Sequence, residues 1–185
     1  ARSAAEILLR GDASILTPEQ LITRGQEYFG AYPVSASGRA DFVLQAEQRG
    51  TGHAVMVTEA KLHGWTGDVL ILYGDTPLLR AETLERMHSM KRDSGADLVM
   101  LTASGDIPGR VVRDAEGRVL RIVEAQDASE AELAIEERNT GVYLISSELL
   151  WAGLATLDTG NRQGELYLTD VVGHAVREGF QVEAL

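Results

Sequence analysis

Short unbroken apolar runs alternate along this chain with stretches whose apolar residues recur at helical spacing. The run Val69-Leu70-Ile71-Leu72 leads into Tyr73 and reads as a buried strand, and Asp97 to Thr102 reads as another. Between them Leu84, Met87 and Met90 recur near the helical period, which predicts a helix from about 81 to 92. A shorter run, Phe42-Val43-Leu44, precedes a glycine-bearing turn and a helix-compatible stretch ending near Lys61. Arg110 to Arg113 and Arg118 to Val123 flank Asp114-Ala115-Glu116-Gly117, the layout of a β-hairpin. Thr140 to Ile145 is a further strand, and Ser146-Ser147-Glu148 offers a cap for a helix with Trp151 and Leu154 on its core face. Val171, Val172, Ala175 and Val176 form a last helical stripe before a strand at Phe180-Gln181-Val182. Alternating strand and helix predicts an α/β domain with a doubly wound, mostly parallel sheet of Rossmann-like kind and a projecting hairpin.

Composition narrows this only in part. At 185 residues, 44% hydrophobic and 24% charged, the chain suits one globular domain. There is no Cys, hence no disulfide or thiolate metal site, and no apolar run reaches membrane-spanning length. Neither a signal peptide nor an internal repeat is visible, and a cytoplasmic setting is expected. The net charge of −11 argues against a nucleic-acid partner, whose phosphates need a basic face. A nucleotide would approach such a protein most easily as its Mg²⁺ complex. Of the 17 basic residues only Lys61 and Lys91 are lysines, and neither lies in a Gly-rich loop.

Two segments carry candidate chemistry. Tyr73-Gly74-Asp75-Thr76-Pro77-Leu78 places a carboxylate where a buried strand meets a loop, the position at which α/β sheets bind ligands. An Asp in that place suits a hard cation or begins a turn ahead of Pro77. Gln45 to Val55 includes Gly50-Thr51-Gly52, where two glycines around a threonine let backbone N–H groups face an anion or a base edge. The Gln45 carboxamide can donate and accept at once, as a pyrimidine edge requires.

Together with Gly109-Arg110, Ile122-Val123-Glu124, Glu137-Arg138-Asn139-Thr140-Gly141 and Gln163 to Asp170, these segments follow one order. In that order the chain resembles the nucleotidyltransferases that make nucleotide-sugars, and more narrowly the bacterial N-acetylglucosamine-1-phosphate uridylyltransferases. The resemblance covers roughly 42 to 185, so a nucleotidyltransferase-like domain is expected over 41–185, incomplete at both ends. It implies in-line transfer, in which a sugar-1-phosphate oxygen attacks the α-phosphate of UTP and pyrophosphate leaves. The products are UDP-N-acetylglucosamine, a cell-wall and lipopolysaccharide precursor, and pyrophosphate, from UTP and N-acetylglucosamine-1-phosphate with Mg²⁺. It further implies Gln45 as the uracil reader, Gly50 and Thr51 as nucleotide contacts, Tyr73 and Gly74 as pocket lining, and Asp75 as the Mg²⁺ ligand. Gly109, Glu124 and Asn139 would hold the amino-sugar, with Tyr167 and Thr169 closing its acetamido side.

Read without the resemblance, Glu124 is a solvated carboxylate, Asn139-Thr140-Gly141 a turn, Glu165 and Asp170 helix caps, and His53 a helix-face residue. Residues 1–40 do not match the family. Thr17-Pro18-Glu19-Gln20 is a good helix start, but the family's opening strand and Gly-x-Gly-Thr-Arg-Met loop, with the Arg and Lys that neutralise the triphosphate, are not found. The catalytic residues are therefore left unassigned. Asp106-Ile107-Pro108-Gly109-Arg110 is shorter than the family's corresponding loop, and the chain stops ahead of the family's Asn-containing metal-ligand segment. A catalytically impaired nucleotide-sugar binder and a truncated piece of the enzyme stand as alternatives.

Overall fold

The computed structural model of the chain describes residues 43–73, 76 and 78–185. The elements in order are α1 (Thr51–Met56), a 3-10 turn (Glu59–Lys61), β1 (Asp68–Ile71), α2 (Ala81–Ser94), β2 (Leu98–Ala103), β3 (Gly109–Arg113) and β4 (Val119–Glu124). They continue with α3 (Glu130–Leu133), β5 (Arg138–Ser146), α4 (Ser147–Leu154), α5 (Asp170–Arg177) and β6 (Val182–Ala184). The helix start foreseen at Thr17 lies outside the described residues, as does Phe42. Val43 and Leu44 belong to no strand.

The fold is α/β, but its sheet is mixed where a mostly parallel one was expected. Among the described residues four strand pairings are antiparallel and only β2 with β6 is parallel. The reason is the position of β5. It pairs antiparallel with β1 on one edge, through Leu70 and Leu144, and antiparallel with β2 on the other, through Val99 and Leu144. β1 and β2 consequently run the same way, as alternation of strand and helix predicts, while β5 is wedged between them with opposite polarity. Hydrophobic periodicity identifies a buried strand and carries no information about its direction.

Period-two alternation divides the core between the two faces of this sheet. On one face Leu98, Met100, Tyr143 and Ile145 meet Leu149, Leu150 and Leu154 of α4 and Val171, Val172 and Ala175 of α5, with Trp151 packed against them. On the other, Val99, Val142 and Leu144 receive Met87, with Leu84 and Met90 alongside. Burial of one such leucine or methionine side chain contributes roughly 1.5–3 kcal/mol. α2 closes on Gly95, whose φ of 75° places it in the left-handed region and returns its N–H to the Lys91 carbonyl. The Lys91 side chain turns inward: its Nζ donates to the carbonyls of Ala96 (2.6 Å) and Asp97 (3.0 Å) and pairs with Asp68 at 3.3 Å. One of the two lysines is thereby a strut between α2, β1 and β2.

The hairpin forms as expected, β3 against β4 with Gly109 opposite Glu124. Arg110 is opposite Arg138 at the first residue of β5, so the ribbon rises past the end of the sheet from there. Its tip is held by Asp114, whose Oδ1 accepts the Arg118 N–H at 2.8 Å. At its base lie the carboxyl ends of β1 and β2 and the amino end of β5.

Candidate functional site

The expected site residues that are described come together along that edge. Asn139 is buried and stands opposite Thr102, its Oδ1 accepting the Gly141 N–H at 3.2 Å. Gly141 has φ 80°, and a Cβ there would lie 2.0 Å from the Tyr73 ring. The backbone is bare at this point because an aromatic ring lies on it. Gly109 is pressed between Asn139 and Ile122, to which a Cβ would come within 3.2 and 3.3 Å. Beyond β1 the Thr76 N–H and hydroxyl both donate to the Tyr73 carbonyl. Gly74 and Asp75, the expected pocket-lining and metal-binding residues, lie outside the described residues, and among those described no group of three or more His, Asp or Glu is set to hold a metal ion.

A second patch joins this one through residues 166–169. The Gly52 N–H donates to the Leu166 carbonyl at 2.8 Å, and the Leu166 N–H donates to Arg49 at 2.8 Å. Thr51 Oγ1 accepts the Leu168 N–H at 2.9 Å. Gly50 (φ 106°) lies so close to this segment that a Cβ would be 2.6 Å from the Leu166 carbonyl oxygen. Gln45 is buried, and its Nε2 is directed to the Gly50 carbonyl at 3.3 Å and to His53 Nδ1 at 3.2 Å. His53, read from sequence as a helix-face residue, thus helps to fix the glutamine that was read as the base reader.

Residues 166–169 also divide two hollows. An apolar groove of about 250 Å³ is lined by Thr51, Val55, Leu70, Leu72, Tyr73 and Leu168. A polar cavity of about 400 Å³ lies under the hairpin and takes its walls from Glu124, Asp127, Asp158, Asn161, Tyr167 and Thr169, among others. Thr169 stands at the cap position of α5 but makes no side-chain cap; its hydroxyl donates instead to Glu124 Oε1 at 3.4 Å. Burial, with the charges of Asp170 and Asp127, pushes the Glu124 carboxyl above its usual range, and Asp170 is raised by burial and by Asp158. Burial, the charges of Asp127, Glu124 and Glu165, and a hydrogen bond to Asp127 push the Tyr167 hydroxyl up to about 12, so it remains a donor at neutral pH.

Glu124 is therefore not a solvated carboxylate, and Asn139 is a strand residue. Asp127, Asp158 and Asn161 were not foreseen. The available signal was local: Asn161-Arg162-Gln163-Gly164-Glu165 is a closed loop in which the Asn161 side chain donates to the Glu165 carbonyl (2.6 Å) and accepts its N–H (3.2 Å).

The sequence matches known proteins over most of its length. It is 51% identical over 141 residues, 75% of this chain and 29% of the relative, to the Bifunctional protein GlmU of Anaeromyxobacter sp. (strain K). The chain carries a segment of the GlmU type. GlmU of Enterococcus faecalis is 46% identical over 149 residues, and that of Pelotomaculum thermopropionicum 45% over 161, covering 79% and 84% of this chain. The chain spans about a third of the length of these GlmU relatives, 29% to 35%. No family model matches it. A crystal structure of UDP-glucose pyrophosphorylase complexed with UDP-glucose superposes with a TM-score of 0.65 over 88% of this chain and 64% of that one, at 13% identity. That likeness shows that the chain shares its fold with that protein.

Proposed function

We propose that this chain provides the sugar-side and base-side walls of a uridylyltransferase that forms UDP-N-acetylglucosamine and pyrophosphate from UTP and N-acetylglucosamine-1-phosphate. The observation that carries the reading is the diversion of Thr169. A hydroxyl that would ordinarily cap a helix is turned onto a partly desolvated Glu124 in the wall of a cavity, and Glu124 is the cross-strand partner of Gly109, which is packed against Asn139. Such pairs of polar groups, set on rigid strand and helix ends, suit recognition of sugar hydroxyls.

The transfer itself needs positioning and charge neutralisation more than a strong base. Glu124, Asn139 and Thr169 would orient the sugar so that its 1-phosphate oxygen faces the α-phosphorus. Gln45, Gly50 and Thr51 would hold the uridine, with Tyr73 and Gly74 lining its pocket and Tyr167 beside the acetamido group. Mg²⁺, held by Asp75 with the phosphates, would screen the negative charge as the bond to pyrophosphate breaks. Synthesis of cell-wall precursors in the cytoplasm is the expected setting.

A second reading, binding with little turnover, is favoured by the basic groups. Lys91 is committed to Asp68 and two carbonyls, and Arg110 Nη1 is directed to the carbonyls of Ile107 and Pro108. Calorimetry with UDP-N-acetylglucosamine, with and without Mg²⁺, tests binding; pyrophosphate release from UTP and N-acetylglucosamine-1-phosphate separates the two readings. No heat with either ligand state would overturn both.

A further inference from the structure

The Gln45 carboxamide has only one orientation open to it. Its Nε2 lies 3.3 Å from the Gly50 carbonyl oxygen and 3.2 Å from His53 Nδ1. A carbonyl oxygen can only accept, so the amino end of the carboxamide must face it, and the second amino hydrogen is then directed to His53. His53 Nδ1 accepts that hydrogen, which places the ring's own proton on Nε2. Both hydrogens of the carboxamide are thereby matched to acceptors. Reversed, the group would set Oε1 against the Gly50 oxygen, acceptor against acceptor, on a side chain only 6% exposed.

Backbone bonds hold both acceptors in place. The Ala54 N–H donates to the Gly50 carbonyl at 3.2 Å and the Val57 N–H to the His53 carbonyl at 3.1 Å, so α1 carries the two groups at its amino end. Between them Thr51 and Gly52 are tied to Leu168 and Leu166. Among the described residues no hydrogen bond engages Gln45 Oε1. An acceptor is therefore what this side chain offers a base. We propose that His53 is a positioning residue that sets base selectivity: by accepting from Gln45 Nε2 it keeps Oε1 as the atom offered, which takes the N3–H of uracil and opposes the N3 lone pair of cytosine. The assignment rests on the nucleotide-sugar reading above, with Gln45 at the base, and adds a residue that acts through Gln45.

Calorimetry on the full chain tests it, with UDP and CDP as the two probes. Wild type should prefer UDP by about tenfold or more, because CDP sets one acceptor against another. His53→Leu removes the acceptor at position 53, whereas His53→Asn returns one close to the place of Nδ1. The preference for UDP should fall about fivefold or more in His53→Leu, through weaker UDP binding, and stay within about twofold of wild type in His53→Asn. Equal weakening of both probes by His53→Leu, weakening of neither, or an asparagine variant that loses as much preference as the leucine variant overturns the assignment. Equal binding of UDP and CDP by wild type overturns it as well. If wild type binds neither probe, the nucleotide-sugar reading itself falls, which distinguishes the two failures. Should His53→Leu not fold, the nitrogen NMR spectrum of the wild-type imidazole decides: with UDP bound, neutral His53 must carry its proton on Nε2, and a proton on Nδ1 rejects the role.

Discussion

Thr169 and Glu124 illustrate how a single side chain departs from what local structure asks of it. The carboxyl of Glu124 lies above its ordinary value of 4.5 because burial disfavours its charge. A carboxyl raised on folding binds more protons in the native state than in the unfolded one, so stability falls as pH rises from about 4.5 through the folded value. Glu124→Gln removes that cost while retaining an acceptor for the Thr169 hydroxyl. The variant should therefore melt higher than wild type at pH 7, with the difference shrinking as pH approaches about 4.5, and should bind UDP-N-acetylglucosamine more weakly. Melting curves at several pH values check the first point; a variant less stable than wild type at pH 7 would contradict the burial argument. Gly50 departs in the opposite direction, toward backbone necessity. With φ at 106° and the Leu166 carbonyl 2.6 Å from where a Cβ would sit, Gly50→Ala should cost about 1–3 kcal/mol in denaturant unfolding. A neutral effect would mean that residues 166–168 yield easily and do not hold α1.

At the scale of elements, the first two strands, the hairpin, β5 and the long helices were legible because burial writes its period into sequence, whereas Val43 and Leu44 form no strand and the last strand, expected at 180–182, runs Val182–Ala184. Met87 and its neighbours marked α2, and the unbroken apolar run Val142 to Ile145 marked β5, whose two faces only the fold distinguishes. Strand direction was not legible, since β5 reads the same in either polarity and is set by long-range pairing with β1, β2 and β3. The site residues were legible as an ordered series, whereas Asp127 was not, because its partner at Arg162 is brought to it only by the fold. Helix α3 was passed over for its brevity, although Ser129 and Glu132 spell a capping box that the structure completes in both directions. The Glu132 carboxyl is held down at about 2, first by the Ser129 hydroxyl and backbone N–H, then by Arg121. Ser129→Ala should move the Glu132 titration up toward 4.5 and fray α3, both visible by NMR. A Glu132 carboxyl that stays near 2 would assign its depression to the backbone N–H at position 129 and to Arg121, both of which the variant retains.

Over the whole molecule the decisive quantity is charge. The cavity wall carries more carboxylates than arginines, Lys91 is consumed as a strut, and the chain has a net charge of −11. An anionic nucleotide-sugar therefore meets long-range repulsion before any contact is made. The screening length is about 30 Å at 0.01 M salt and about 8 Å at 0.15 M, so added salt removes the repulsion over the dimensions of a domain while leaving hydrogen bonds at the site intact. Without divalent metal, affinity for UDP-N-acetylglucosamine should rise over that interval, the reverse of the behaviour of a basic nucleotide-binding protein. With saturating Mg²⁺ the dependence should flatten, because the metal neutralises the diphosphate before encounter. Calorimetric titrations at both ionic strengths, in chelator and in Mg²⁺, measure the four affinities. Tighter binding at low salt in chelator would show that arginines near the phosphates outweigh the net charge, and would direct mutagenesis to Arg49 and Arg110 as the groups responsible.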